Sequence, residues 1–225
     1  MKIKSLLAAT AAATMGIMPS AALADPNVTF GTYDSMGCML LRECTDGVKE
    51  IFNINAFRET NPEMDWESIE AEFNEMVVTL EKIGVKVYLA DDKYFPVRHR
   101  GVYHTLGNNF FLNESYMTSP EVLMRVMRHE GWHAVQDCMA GTIENTYLGI
   151  VFREEEVPGY WTEIAANTYP AKVLPWEREA MWAGHTPGMT LQALKACAAP
   201  NPIWEVYEPT PMTREWLENN GFLKS

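Results

Sequence analysis

Basic residues are scarce in this sequence. Its 225 residues include 18 lysines and arginines against 30 aspartates and glutamates, so the net charge is −12. Proteins that bind nucleic acid or anionic membranes neutralise phosphate groups with clustered lysine and arginine side chains. The charge therefore argues against both partners, and we expect no nucleic acid and no membrane surface among the ligands of this protein.

Long hydrophobic runs are also lacking. The apolar run of the N-terminus, residues 5–18, follows two lysines and is shorter than the roughly 20 residues that span a bilayer. The small-residue segment at 22–24 then precedes an aspartate, as at a signal-peptide cleavage site. We predict a secretory signal at residues 1–24 and export to the periplasm, a lumen or the medium, with residues 25–225 forming one domain.

Cysteines are few, and none stands in the Cys-x-x-Cys spacing that is typical of a cysteine-ligated metal. All four follow the predicted signal, and an even number in an exported chain indicates two disulfides. Three pairings are possible. Distance along the chain favours Cys38 with Cys44, which closes a short loop, and leaves Cys138 for Cys197.

The sequence has no internal repeat and no low-complexity tract after the N-terminus. Apolar residues recur at helical spacing over 61–84, and the alternating segment 85–89 predicts a strand. A hairpin is predicted over 101–112 and a helix over 175–184, with two short helices closer to the C-terminus. The expected fold class is α+β, with a small mixed sheet packed on helices.

The clearest predicted helix carries two histidines. Ser119 can cap its N-terminus, Pro120 suits its first turn, and helical composition continues to about Met139. His129 and His133 stand four residues apart within this helix. Residues at that spacing project from one helix face, so the two imidazoles can meet at one point.

Two imidazoles on one helix face can bind a metal ion at about 2.0–2.1 Å each. Glu130, next to His129, points partly off this line, where it can hold a water molecule instead of the ion. Zinc lowers the pKa of such a water to about 7, so a neighbouring carboxylate can act as general base. We therefore predict Zn²⁺ as the cofactor, His129 and His133 as metal ligands and Glu130 as the catalytic residue.

The segment His129-Glu130-Gly131-Trp132-His133 resembles the signature of the zinc metallopeptidases called zincins. The resemblance implies that the two histidines bind zinc, that the glutamate is the base, and that the substrate is a peptide or protein. Zincins commonly place an edge strand before this helix. Phe110-Phe111-Leu112 is the segment that would match it, although these residues suit a buried core strand equally well.

A catalytic zinc usually has three protein ligands, so one ligand remains to be found. The metzincin branch would need glycine at position 136 and histidine at 139, where this chain has Gln136 and Met139. A downstream carboxylate is therefore expected. Glu163 and Glu177 each begin a Glu-x-x-Ala pattern that resembles the third-ligand segment of gluzincins, and we choose Glu177 because a helix is predicted to begin just before it. The other candidates are Glu163, Glu179, Glu144 and the run 154–156.

Other functions remain open at this point. The zinc could be structural, with a fourth ligand such as Glu179 or His185, in a non-catalytic binding protein. The chain could also keep a zincin scaffold without processing peptides. If it is a peptidase, the candidates for stabilising the developing oxyanion are Tyr160, Tyr169 and His185, chosen by position alone. His99 and His104 are interpreted as surface or strand histidines.

Overall fold

A computed structural model of the protein describes residues 30–224, with side chains from residue 35 onward. Within this part of the chain, there are eight α-helices and one four-stranded sheet, which confirms the predicted α+β class. The predicted signal peptide at 1–24 lies outside the described residues. The helices are α1 (Phe30–Leu40), α2 (Asn55–Thr60), α3 (Glu67–Lys82), α4 (Pro120–Met139), α5 (Gly159–Thr168), α6 (Leu174–Gly184), α7 (Met189–Cys197) and α8 (Pro211–Asn219).

The sheet is mixed, as expected. Its strands are β1 (Val48–Glu50), β2 (Lys86–Ala90), β3 (Gly101–His104) and β4 (Asn109–Asn113). Their order is β1-β2-β4-β3, with β2 and β4 parallel and both outer pairs antiparallel. The predicted hairpin at 101–112 is therefore the β3–β4 pair, and β3 is the edge strand on the side of α4.

Strand β4 lies in the interior of the sheet, between β2 and β3. Phe110 and Leu112 belong to the main core, with residues of α3 and α4, whereas Phe111 faces a second cluster that includes Met36 and Met39 of α1. A strand buried on both faces needs apolar residues at consecutive positions, which explains the Phe-Phe-Leu run. Of the two interpretations of this run, the core strand is confirmed, and the edge strand beside α4 is β3.

The helix predicted over 61–84 begins later than expected. Asn61 ends α2 in a non-helical conformation, because the following Pro62 disfavours helical backbone at the residue before it. The Trp66 indole donates to the Asn61 carbonyl at 2.7 Å and closes the turn before α3. At the other end Gly84 has a φ of +86°, as expected for the residue that stops a helix.

Helix α4 has the predicted bounds and is held on several sides. The Ser119 hydroxyl accepts a hydrogen bond from the Val122 amide at 3.3 Å, which caps the helix. Trp132 is fully buried. A Cβ atom on Gly131 would lie 3.1 Å from side-chain atoms of both Met76 and Thr190, so glycine allows α3 and α7 to pack closely against the middle of α4.

Both predicted disulfides are present, Cys38–Cys44 and Cys138–Cys197. The second joins the end of α4 to the end of α7. Two disulfides fit an extracellular or other oxidising compartment. Between residues 30 and 224, no helix combines the length and the apolar character needed to cross a bilayer.

Candidate metal centre

Helices α4 and α6 bring three potential metal ligands together. Oε2 of Glu177 lies 3.3 Å from Nε2 of His129 and 3.8 Å from Nε2 of His133. All three ligand atoms lie within 4.8 Å of one another. Ligand atoms of a tetrahedral zinc site are about 3.4 Å apart, by the usual bond lengths. The three residues that the sequence analysis selected could therefore hold one metal ion.

Glu177 has the properties of a ligand. Its side chain is only 5% exposed, and its Oε2 atom is buried without a hydrogen-bond donor. Burial acts to raise the pKa of Glu177, but the neighbouring imidazoles of His133 and His129 and a hydrogen bond from Tyr169 outweigh it and hold this pKa below its ordinary value. An ionised, buried oxygen without a donor needs a cation beside it. This arrangement fits a metal ion between the carboxylate and the two imidazoles.

Gln136 fixes the orientation of the His133 ring. Its Nε2 donates to the Trp176 carbonyl at 3.0 Å and to Oε2 of Glu179 at 2.8 Å. Because a carbonyl only accepts, the amide orientation is determined, and Oε1 of Gln136 must accept from Nδ1 of His133 at 2.8 Å. Nδ1 of His133 therefore carries a proton, and this ring orientation turns Nε2 towards the place where a metal would bind.

Glu179, a candidate third or fourth ligand, does not face the two histidines. It is fully buried and accepts hydrogen bonds from the Trp132 indole, the Gln136 amide and the backbone amides of Val151 and Phe152. Burial raises the pKa of Glu179 to about 7, although these donors act in the opposite direction. Glu179 therefore contacts Gln136 instead of the candidate metal ligands, and it holds the Gln136 amide in place.

The Gln136→Met variant is expected to lose metal affinity by about 10- to 100-fold, as is typical when a partner behind a ligand is removed. Methionine has similar length, but its thioether sulfur is only a weak acceptor for the proton on His133 Nδ1. Affinity would be measured by competition with a chromophoric chelator. The matched control is Gln192→Met, because Gln192 is exposed on α7. Equal affinities for the two variants would contradict the role given to Gln136.

The remaining candidate ligands lie elsewhere. Glu163 is exposed on α5 and is not part of the group formed by His129, His133 and Glu177. Glu144 and residues 154–156 are also exposed, and Glu154 forms an ion pair with Arg178 at 2.9 Å. Among residues 35–224, whose side chains the structure describes, the group of potential ligands around His129 and His133 contains Glu177 and no other acid.

Of the three candidates for oxyanion stabilisation, Tyr169 contacts the site. Its ring is stacked at 6.4 Å from the His129 ring, and its hydroxyl hydrogen-bonds Glu177. Tyr160 is 65% exposed. His185 also lines the cleft beside the cluster, but its Nδ1 faces the Met181 carbonyl at 2.9 Å. Sequence position alone did not separate these three.

The Glu130 side chain extends from α4 to the edge strand β3. Its Oε2 accepts a hydrogen bond from the Tyr103 amide at 3.1 Å. A Cβ atom on Gly101 would lie 2.9 Å from Cγ of Glu130 and 2.7 Å from a methyl group of Val126, so strand and helix approach this closely only because residue 101 is glycine. The Tyr103 hydroxyl also donates to Asp137 at 2.7 Å, which joins β3 to α4 a second time.

An open cleft of about 170 Å³ lies beside the three candidate ligands, His129, His133 and Glu177. His129, Glu130 and Tyr169 line one part of it, and the loop before β3 supplies Arg98 and Arg100. The carboxylate predicted to be the base and one of the predicted ligands are therefore accessible from the same side. A small segment of a substrate could enter here.

Comparisons of the chain with models of protein families, with curated proteins and with solved structures found no match. The zincin resemblance thus depends on the His-Glu-x-x-His segment and on the arrangement of side chains around it. Any assignment of function depends on the chemistry that this arrangement allows.

Proposed function

We propose that the protein is an exported zinc metallopeptidase. One observation carries the proposal. His129, His133 and Glu177 converge on a point where a metal ion fits, and Glu130 lies beside them in an open cleft. Two imidazoles and one carboxylate are a common ligand set of catalytic zinc, and the neighbouring carboxylate supplies a general base.

The number of ligands favours catalysis over a structural role for the zinc. Structural zinc sites are closed by four protein ligands, whereas catalytic sites keep one position open. In the described part of the chain, three residues form the group. The two candidates for a fourth ligand have other contacts, since Glu179 accepts four N–H groups and Nδ1 of His185 faces a backbone carbonyl.

The chain's own residues can perform the proton transfers of peptide hydrolysis. Zinc supplies Lewis-acid chemistry when it is bound, because it polarises a carbonyl and lowers the pKa of a water to about 7. Glu130 takes a proton from the attacking water and delivers it to the leaving amine. The Tyr103 amide holds one oxygen of Glu130, so the other oxygen can meet the water.

Metal removal tests the proposal. The exported chain would be analysed for zinc content and incubated with a mixed peptide library, and cleavage would be followed by mass spectrometry. We expect about one zinc per chain, loss of cleavage after chelation and recovery when zinc is restored. Cleavage that survives complete metal removal would exclude the mechanism. A chain that holds zinc tightly but cleaves no peptide would support the structural role instead.

A further inference from the structure

The cleft carries charge of the opposite sign to the chain as a whole. Arg98 and Arg100, from the loop before β3, line it with Arg125 of α4, which lies one turn before His129. The net charge of the protein is −12. Glu130 is nevertheless the one acidic residue among the described residues that line the cleft. A cleft lined by one sign of charge concentrates ligands of the opposite sign.

The arginines of the loop are available to a ligand. Arg98 and Arg100 are exposed, and neither forms an ion pair with any residue in the range 35–224, whose side chains the structure describes. The guanidinium of Arg100 lies 5.6 Å from the ring centroid of Tyr116, a contact with the ring face that leaves its N–H groups free to donate. Most other arginines are neutralised. Those that pair with a glutamate are Arg58, Arg125, Arg128, Arg153, Arg178 and Arg214.

The loop that carries these arginines is anchored. The side-chain amide of Asn113, which is fully buried, donates to the His99 carbonyl at 2.9 Å and to Asp92 at 2.8 Å. The Asn113 backbone amide donates to the Arg100 carbonyl at 2.9 Å. Arg98 has a φ of +71°, a left-handed conformation that non-glycine residues adopt mainly where surrounding structure imposes it. The fold therefore fixes the backbone positions of both arginines.

The anchored loop ends beside the proposed base. Gly101 follows Arg100 directly and packs against Glu130, as the 2.9 Å distance from a Cβ on Gly101 to Cγ of Glu130 shows. Substrate atoms that reach Glu130 therefore pass within side-chain reach of the two arginines. A charge at this place would contact the substrate close to the bond that is cleaved.

We propose that Arg98 and Arg100 bind a carboxylate of the substrate, so that the protein selects peptides with a negative charge next to the scissile bond. The inference rests on the proposed peptidase function and adds the substrate class. Guanidinium groups present forked N–H donors that match a carboxylate. The carboxylate belongs either to an aspartate or glutamate side chain or to the C-terminus of a short peptide.

A matched peptide series tests the inference. Peptides of one sequence would carry glutamate, glutamine or lysine at each position near the cleaved bond, each with a free or an amidated C-terminus. Values of kcat/KM would be compared for the parent chain and the double variant Arg98→Gln with Arg100→Gln. The control is Arg42→Gln, because Arg42 is also exposed, has a φ of +60° and lies 5.6 Å from a tyrosine ring centroid, but does not line the cleft.

We expect the parent and the Arg42→Gln chain to prefer a carboxylate over its amide by at least about tenfold, as hydrogen bonds between charged groups allow. The double variant should lose this preference, and about 0.5 M salt should weaken it in the parent. A preference that follows the glutamate side chain identifies acidic peptides as substrates. A preference that follows the free C-terminus identifies cleavage near the C-terminal end of the peptide substrate.

Equal kcat/KM for glutamate, glutamine and lysine peptides in the parent would overturn the inference, as would a preference that survives in the double variant. If the parent cleaves no peptide, the peptidase function fails, and binding then tests the cleft. Fluorescence anisotropy of the same labelled peptides should still show tighter binding of the carboxylate forms to the parent than to the double variant. Equal binding would reject the carboxylate site independently of catalysis.

Discussion

The Glu130→Gln variant is expected to bind zinc as the parent does and to cleave peptides about 10²- to 10⁴-fold more slowly. Glutamine has the size of glutamate. Its carbonyl oxygen can still accept the hydrogen bond that the Tyr103 amide donates to Oε2 of Glu130 at 3.1 Å. It cannot take a proton from water. Because Glu130 is outside the ligand group, zinc content should not change. The measurements are kcat at saturating peptide and zinc per chain.

A second substitution separates catalysis from simple packing. Glu130→Asp keeps a carboxylate but withdraws it by one methylene group, so we expect activity between those of the parent and Glu130→Gln. If the role of Glu130 were only to join α4 to β3, the aspartate and glutamine variants would lose similar activity. Parent-like cleavage by Glu130→Gln would show that another group is the base.

Helix α4, which carries His129 and His133, could be predicted because the residues that begin and end it are close to it in sequence. Ser119 and Pro120 stand at the start of α4, and the residues that follow favour helix. The helix has the predicted bounds. Gly84 likewise ended α3 where it was expected. Capping and termination depend on backbone geometry within one helical turn. The ends of such helices can therefore be predicted from the local sequence.

Short elements were missed because other parts of the chain stabilise them. Strand β1 has three residues, which is too few for an alternating pattern, and forms by pairing with β2. Helix α5 starts after Pro158 without a side-chain cap and has one fully buried residue, Ala165. Helix α1 packs Met36 and Met39 on the second face of the sheet. Nothing in these segments alone distinguishes them from loops.

The ligand cluster was predictable in part, and its surroundings were not. Two glutamates share the Glu-x-x-Ala pattern, and the proline at the start of α6 favoured Glu177, which lies beside His129 and His133. Gln136 was noted only as a departure from the metzincin pattern. Its contacts with Trp176 and Glu179 span about 40 residues of sequence, so only the packing of α6 on α4 reveals that it orients His133. The arginine loop depends in the same way on Asn113.

The two Glu-x-x-Ala glutamates allow a matched test of the third ligand. Glu177→Gln is expected to lower zinc affinity by more than about 100-fold, beyond the range found for partners behind a ligand. An amide has no charge with which to balance the ion, and its NH₂ group would meet the two imidazoles. Glu163→Gln makes the same chemical change on exposed α5 and should leave zinc affinity and cleavage unchanged.

Zinc affinity of both variants would be measured by chelator competition, with circular dichroism as the check on folding. The buried position of Glu177 makes this check necessary, because its side chain is only 5% exposed. A Glu177→Ala chain, which removes the carboxylate without adding donors, should lose zinc to a similar extent. If Glu163→Gln lost the metal and Glu177→Gln kept it, the second gluzincin-like segment would be the ligand, and α5 would have to move towards α4 when zinc binds. If neither variant lost zinc, the two histidines would bind it with a group other than these carboxylates.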